Sequence, residues 1–254
     1  MKVDRIGILI GTAIATMMAY RFATVRTVLA VEPSAKMPFD VGIHDLRFAT
    51  GSGKLMRYSL SLPALMPRDG TQALALVLHY GGQATGYYGR SLLEQLLERA
   101  LAALAVVMVA PVSMGGEWTD SGNEHAVLEL LAMIERVYAT DPARRLITGY
   151  SMGGAGTWNL IAQHAHHFSA AIPISGFQRI EPDRCKTPLY ALHSNDDSIF
   201  DPDQLRQLID GLASSGCEVQ VAFVDGVDHF DVPAFALLLG ETVPWLRRVW
   251  GLDP

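Results

Sequence analysis

The sequence predicts an α/β protein whose mostly parallel central sheet is flanked by helices. Six short apolar runs, each followed by turn residues, indicate buried strands. Several segments between them, such as residues 201–216, carry apolar residues at helical spacing. Strands that alternate with helices form parallel sheets covered on both faces. The predicted strands are Leu74–His79, Ala105–Ala110, Arg145–Tyr150, Ala170–Ser175, Leu189–His193 and Val219–Phe223, after a β-hairpin formed by residues 41–50 and 54–63.

The composition fits a single folded domain. A chain of 254 residues, with 50% hydrophobic and 18% charged residues, can bury one sizeable core. The formal net charge of −6 offers no basic patch, so we expect no nucleic acid as a partner.

The N-terminal residues 1–35 form a separate apolar segment ahead of the domain at 36–254. Lys2 and Arg5 precede an uncharged run, Ile6 to Tyr20, which suits a signal peptide but falls short of the ~20 residues needed to span a bilayer. Asp4 weakens this pattern. The sequence therefore predicts export to the periplasm or medium. An uncleaved anchor near the membrane, or a helix packed on the domain in the cytoplasm, remains the alternative.

One serine stands in a glycine-rich turn between a predicted strand and a predicted helix. The stretch Gly149-Tyr150-Ser151-Met152-Gly153 has the pattern G-x-S-x-G, in which a tight strand-to-helix turn exposes the serine hydroxyl. Such a hydroxyl needs a neighbouring base to become a nucleophile. Ser151 is therefore the candidate nucleophile.

Partners of Ser151 should follow other strands, because ligands of parallel sheets bind at the carboxyl ends of the strands. Asp196 and Asp197 follow one predicted strand, and His229 follows the last. The chain order of serine, acid and histidine is that of hydrolases with a nucleophile elbow. Asp228 adjoins His229, and its short side chain is badly placed to reach that ring.

These motifs together resemble the α/β-hydrolases, in particular small lipase-like esterases of the phospholipase/carboxylesterase, polyhydroxyalkanoate-depolymerase-like and "predicted peptidase" group. The similar segments are TGYSMGGAGTW, FSAAIPISG, LHSNDDSIF and DGVDHF, and the resemblance runs from about Leu74 to Trp250. It implies an α/β-hydrolase fold without a large cap domain, and it implies Asp197, four residues after His193, as the acid. The chain departs from the family at Tyr80 and Ser194, where the family usually has glycine.

The oxyanion of the reaction needs fixed N–H donors. In this fold one is the backbone N–H after the nucleophile, here Met152, and the other comes from the loop after the first buried strand. Gly81 is the preferred second donor and Tyr80 the alternative. We expect no cofactor and no metal, since His164, His166 and His167 close a helix without completing a ligand set.

The expected activity is hydrolysis of carboxylic esters by a Ser-His-Asp triad, with a small-molecule or polymer ester as substrate. A serine peptidase or lysophospholipase on the same fold is the alternative, and a non-catalytic binding protein is the alternative of another class. Residues 176–187 are too few for a sizeable lid, which predicts an open pocket. Glu117 and Trp118 either line this pocket or pack on the surface, and Trp158 is expected in the core.

The two cysteines, Cys185 and Cys217, precede strands that are parallel neighbours in the family's sheet. We expect them to lie close together, and to be bridged if the chain is exported.

Overall fold

The computed structural model describes residues 37–66 and 72–252. The predicted signal or anchor segment at residues 1–35 lies outside them. The strands and helices that follow belong to the unit that begins at Pro38.

Eight strands form one sheet in the order β1-β2-β4-β3-β5-β6-β7-β8. The turn between β1 and β2 places Gly53 at φ +78°, a conformation that suits glycine. β1 pairs antiparallel with β2, β2 antiparallel with β4, and all other neighbours are parallel. The predicted α/β class is confirmed. The strands are β1 (Gly42–Ala49), β2 (Leu55–Leu62), β3 (Gln72–Leu78), β4 (Val107–Pro111), β5 (Thr140–Tyr150), β6 (Ala170–Ile174), β7 (Leu189–Ser194) and β8 (Val219–Val224).

Helices cover the sheet. The first, α1, spans residues 90–100 and contains a π-helical segment at Leu93–Leu97 that the sequence pattern does not indicate. The helix Pro202–Ser214 buries Leu205, Leu208, Ile209 and Leu212, which are spaced so that they lie on one face of the helix. The remaining helices are α2 (Ser121–Tyr138), α3 (Met152–His164), α4 (Pro202–Ser214), α5 (Phe235–Glu241) and α6 (Val243–Val249).

The core lies on both faces of the central strands. β3, β4 and β6 are buried at every position, which explains why their sequences are continuous apolar runs. Trp158 of α3 is fully buried behind β5, as the sequence predicts. Within the described residues no helix is both long and apolar enough to cross a membrane.

The strand order brings the loops after β3, β5, β7 and β8 to one edge of the sheet. The connection between β6 and β7 carries only a short 3-10 turn, Pro182–Arg184, so no large cap covers this edge. The sheet therefore offers an open platform for side chains from four loops.

Cys185 and Cys217 lie close together before β7 and β8, as predicted. The Cys217 thiol donates to Pro182 O at 3.7 Å, and burial together with the neighbouring Cys217 raises the pKa of Cys185 to about 12. Both are free thiols, so the bridge that the sequence analysis ties to export is not formed in this structure.

Candidate active site

The turn between β5 and α3 holds Ser151 in a strained conformation. Its φ of 54° and ψ of −114° are rare for a residue with a side chain. The neighbouring backbone is so close that a Cβ on Gly153 would stand 2.0 Å from Leu78 O, and one on Gly176 would stand 2.0 Å from Ser151 O. Glycine at both positions lets the turn form. In this conformation the serine hydroxyl projects from the carboxyl end of the sheet.

Ser151, His229 and Asp197 form a chain of two hydrogen bonds. The Ser151 Oγ lies 2.8 Å from His229 Nε2, and His229 Nδ1 lies 2.8 Å from Asp197 Oδ2. A carboxylate only accepts, so Nδ1 carries the ring proton and Nε2 is left to accept the serine proton. The structure thus brings the three predicted residues together in the arrangement of a nucleophile, a base and an orienting acid.

The Asp197 carboxylate is buried and fully engaged. Its Oδ1 accepts the N–H groups of Ile199 and Phe200, both at 2.9 Å. Burial raises its pKa, but the hydrogen bonds from His229, Phe200 and Ile199 outweigh burial, and the pKa lies below the usual value. Asp197 is therefore ionised at neutral pH and can stabilise an imidazolium.

The other two aspartates point elsewhere. Asp196 Oδ2 accepts the N–H of Gly226 at 2.6 Å, and Asp228 Oδ1 accepts the N–H of Phe230 at 2.9 Å. Asp196 thus links its loop after β7 to the loop after β8, whereas Asp228 stabilises a turn in its own loop. Of the three candidate acids, only Asp197 is hydrogen bonded to His229 in the described structure.

Three successive carbonyls of the loop after β3 are held by side chains. His79 O accepts from Trp118 Nε1 at 2.8 Å, Tyr80 O from His79 Nδ1 at 2.7 Å, and Gly81 O from the Tyr88 hydroxyl at 3.2 Å. In a trans peptide the N–H points away from the preceding C=O. Fixing the His79 and Tyr80 carbonyls therefore fixes the directions of the Tyr80 and Gly81 N–H groups, the two candidate oxyanion donors.

The third candidate donor, Met152, is the first residue of α3. N–H groups at this end of a helix have no intrahelical acceptor, and together they form the positive end of the helix dipole. A Cβ on Gly81 would lie 3.8 Å from Met152 Cβ, so the loop and the helix start adjoin. The structure thus brings Gly81 next to Met152, the residue that follows Ser151.

His79 is a buried, neutral side chain at the start of this loop. Its Nε2 accepts the N–H of Ser113 at 3.1 Å, so Nδ1 carries the proton donated to Tyr80 O. Burial lowers the pKa of His79, which favours the neutral ring. Its ring lies between Tyr88 and Trp118, with centroids 5.0 and 4.8 Å away.

The sequence analysis leaves the role of Trp118 open and misses Asn123. Trp118 is 1% exposed, and a Cβ on Gly156 of α3 would stand 2.4 Å from Trp118 Cβ. Trp118 therefore packs on the nucleophile helix while its N–H holds the oxyanion loop. Buried Asn123 supports it, because its side chain bonds Met114 N, Gly115 O and Glu117 O. An asparagine in the first turn of a helix gives no sequence signal of such a role.

The three histidines after α3 do not assemble a ligand set. His164 is hydrogen bonded to Glu124, and the rings of His166 and His167 are tilted by 42° with their centroids 4.2 Å apart. Over the residues that the structure covers, no group of three or more His, Cys, Asp or Glu side chains could hold a metal ion.

Comparisons with known proteins agree with this fold. The sequence pattern of the dienelactone hydrolase family matches residues 112–236, which include Ser151, Asp197 and His229. Similar solved structures include a thermostable esterase, with 24% identity, a TM-score of 0.67 and coverage of 81% of this chain and 62% of that one. A ferulic acid esterase has 18% identity, a TM-score of 0.68 and coverage of 83% and 100%. A puromycin-hydrolyzing peptidase of Mycobacterium tuberculosis has 17% identity, a TM-score of 0.68 and coverage of 87% and 42%.

A search of curated proteins gives no match. The sheet, its flanking helices and the similar solved structures show the α/β-hydrolase fold, as the sequence motifs predict. The dienelactone hydrolase match, which spans just under half of the chain, supports a hydrolase.

Proposed function

We propose that the protein is a serine hydrolase that cleaves carboxylic esters through an acyl-enzyme. The observation that carries the proposal is the chain from Ser151 through His229 to Asp197, with both hydrogen bonds at 2.8 Å, on a strained turn. A surface serine with no role would not require this backbone conformation.

In the acylation step, Ser151 Oγ attacks the ester carbonyl carbon while its proton moves to His229 Nε2. Asp197 stabilises the imidazolium that forms. The C–O bond to the leaving alcohol then breaks, and the leaving oxygen takes the proton from Nε2. Water repeats the sequence on the acyl-enzyme, releasing the acid and restoring Ser151.

The negative charge that develops on the carbonyl oxygen during this attack faces Met152 and Gly81. Their backbone N–H groups are the proposed oxyanion donors, with Tyr80 as the alternative from the same loop. Removing one such donor typically raises the activation barrier by about 2.7–4 kcal/mol. Because hydrogen bonds from side chains already hold the loop carbonyls, the N–H donors of the loop need to move little as the negative charge develops.

An ester is favoured over an amide by the likeness to esterases, while a peptidase shares the same fold. The two esterase structures named above cover 81% and 83% of this chain, and this chain covers 62% and 100% of theirs. The peptidase structure covers 87% of this chain, but this chain covers only 42% of the peptidase. Amide cleavage is therefore the competing outcome in the experiment below.

The test compares acetate and butyrate esters of p-nitrophenol with the matching p-nitroanilides. We expect ester turnover in the parent, loss of at least 10³-fold in kcat for Ser151→Ala, and retention in Ser214→Ala, which alters an exposed serine at the end of α4. Anilide cleavage exceeding ester cleavage would favour the peptidase. Ester turnover that Ser151→Ala leaves within tenfold of the parent would contradict the mechanism.

A further inference from the structure

Three aromatic side chains, which we call the aromatic ledge, lie beside His229: Phe177, Phe200 and Phe230. The Phe230 ring meets the His229 ring edge to face at 5.2 Å, and the Phe200 ring lies 5.8 Å from it at 31°. Phe177 extends the ledge, with its centroid 5.7 Å from that of Phe200. The imidazole of His229 is thus bordered by the rings of Phe230 and Phe200.

Phe230 is the exposed part of this ledge. It is 74% exposed, and Ile199 on the loop that carries Asp197 is 58% exposed. One exposed apolar side chain is ordinary, but an exposed ring in contact with the base of a proposed active site offers apolar area to whatever binds there. The backbone N–H of Phe230 bonds Asp228 Oδ1 at 2.9 Å, which fixes the turn that presents the ring.

The chemistry of the triad decides which part of a substrate meets the ledge. The leaving oxygen must reach His229 Nε2 to take its proton, whereas the carbonyl oxygen turns toward Met152 and Gly81. The leaving group therefore extends over His229, and the acyl chain takes the remaining direction. The ledge lies on the leaving-group side.

The charges around the ledge disfavour an anionic leaving group. Asp225, Asp228 and Asp231 are exposed on the His229 loop. Asp228 and Asp231 act through space on the hydroxyl of Tyr150, which places their charge near the triad. The nearby Arg206 is occupied by Asp203 and Asn195 and lies over Phe223.

We propose that the aromatic ledge is a leaving-group subsite for an uncharged aromatic alcohol. The inference rests on the proposed function and adds the class of alcohol that the same site prefers. An aromatic ring placed between Phe230 and Phe177 gains both apolar burial and ring–ring contact.

The test measures kcat/KM for benzyl, ethyl and 4-carboxybenzyl acetate. Benzyl and ethyl alkoxides are similar leaving groups, so their ratio reports binding of the ring. We expect the parent to prefer benzyl acetate over ethyl acetate by about tenfold and over the carboxylated ester by a larger factor at low salt. Phe230→Ala should lower the benzyl-to-ethyl ratio by about five- to tenfold.

Phe39→Ala is the matched control. Phe39 is 67% exposed but packs against Tyr138, at the end of α2 that leads into β5, away from the triad. We expect this variant to keep the parent ratio. A parent without preference for the benzyl ester, or a ratio that Phe230→Ala leaves unchanged, would overturn the subsite. A parent that cleaves none of the three esters and no p-nitrophenyl ester contradicts the proposed function itself.

Discussion

Ser151 shows at the scale of one residue how the fold stores strain where chemistry is proposed. A non-glycine residue at positive φ costs on the order of 1–3 kcal/mol and persists only when its surroundings hold it. Here the Ser151 N–H bonds Ile174 O at 2.9 Å, and its carbonyl accepts the N–H of Ala155 at 3.0 Å. These two bonds fix the backbone of Ser151 between β6 and α3, so the direction of its Cα–Cβ bond is also fixed.

The choice of acid is also a matter of single residues. Asp197→Asn should leave the fold intact and lower kcat by about 10³–10⁴-fold, because an amide can hold the imidazole in the wrong tautomer. Asp196→Asn is the matched control, since Asp196 bonds Gly226 instead of the imidazole. Steady-state kinetics on one ester measures both. Equal losses in the two variants would refute the assignment of Asp197.

At the scale of elements, the two halves of the proposed oxyanion site belong to different parts of the chain. Met152 starts α3, and Gly81 lies in the loop after β3. Trp118 contacts both parts, because it packs on Gly156 of α3 and donates to His79 O. We infer that it is a positioning residue that sets the distance between the two donors.

Trp118→Phe keeps an aromatic ring but removes the N–H that holds the loop. We expect kcat to fall about tenfold or more while KM changes little, since the oxyanion contact strengthens only in the transition state. Affinity for a boronic acid inhibitor, which mimics the tetrahedral adduct, should fall in parallel.

Trp158→Phe is the matched control for this prediction. Trp158 is equally buried, and its indole N–H has no hydrogen-bond partner within the described structure. It should lose stability through a cavity but keep kcat. A loss of kcat in both variants, in proportion to their loss of stability, would show that Trp118 acts only through packing.

The sequence predicts the elements of the sheet well because buried parallel strands are continuous apolar runs. β3, β4 and β6 are such runs, and the structure has them within two residues of the predicted bounds. Apolar residues at helical spacing over residues 90–104 also predict the helix that the structure has at residues 90–100, but they do not predict its π-helical segment. Apolar spacing cannot distinguish one extra residue in a turn from a regular helix.

The site is predictable where a residue carries its own chemistry and is not where it acts through others. Ser151 and His229 stand out by residue type and by their place after a strand. The preference for Asp197 over Asp196 comes from family resemblance, because adjacent aspartates look alike in sequence. Trp118 and Asn123 act through hydrogen bonds to backbone groups far along the chain, such as His79 O, which only the fold brings near.

At the scale of the whole molecule, two buried histidines make stability depend on pH. Burial lowers the pKa of both His79 and His193 below the usual value near 6.5. Between the unfolded pKa near 6.5 and the lower folded pKa, the unfolded chain binds more protons at these positions than the folded protein does. The contribution of the two neutral rings to the free energy of unfolding is therefore fully present above pH 6.5 and is lost as the pH falls toward the folded pKa, by up to ~1.4 kcal/mol per pH unit for each histidine.

Urea unfolding between pH 5 and 7.5 measures this slope. His193→Gln should flatten it, since His193 is fully buried, whereas His125→Gln, which changes an exposed ring on α2, should leave it as in the parent. Stability that stays constant over this range in the parent would show that the two rings are not held neutral by the fold. The Asp197 carboxylate adds a separate loss at more acidic pH, as the pH falls from its unfolded pKa, near 4, through its lower folded value.

The residues of the site converge on one proposed property, the nucleophilicity of Ser151. Intact and peptide mass spectrometry after reaction with a fluorophosphonate tests it most directly. We expect one adduct per chain, on the peptide that carries Ser151, with labelling lost in Ser151→Ala and slowed in Asp197→Asn. Labelling of another residue, or no adduct on a folded parent protein, would contradict it.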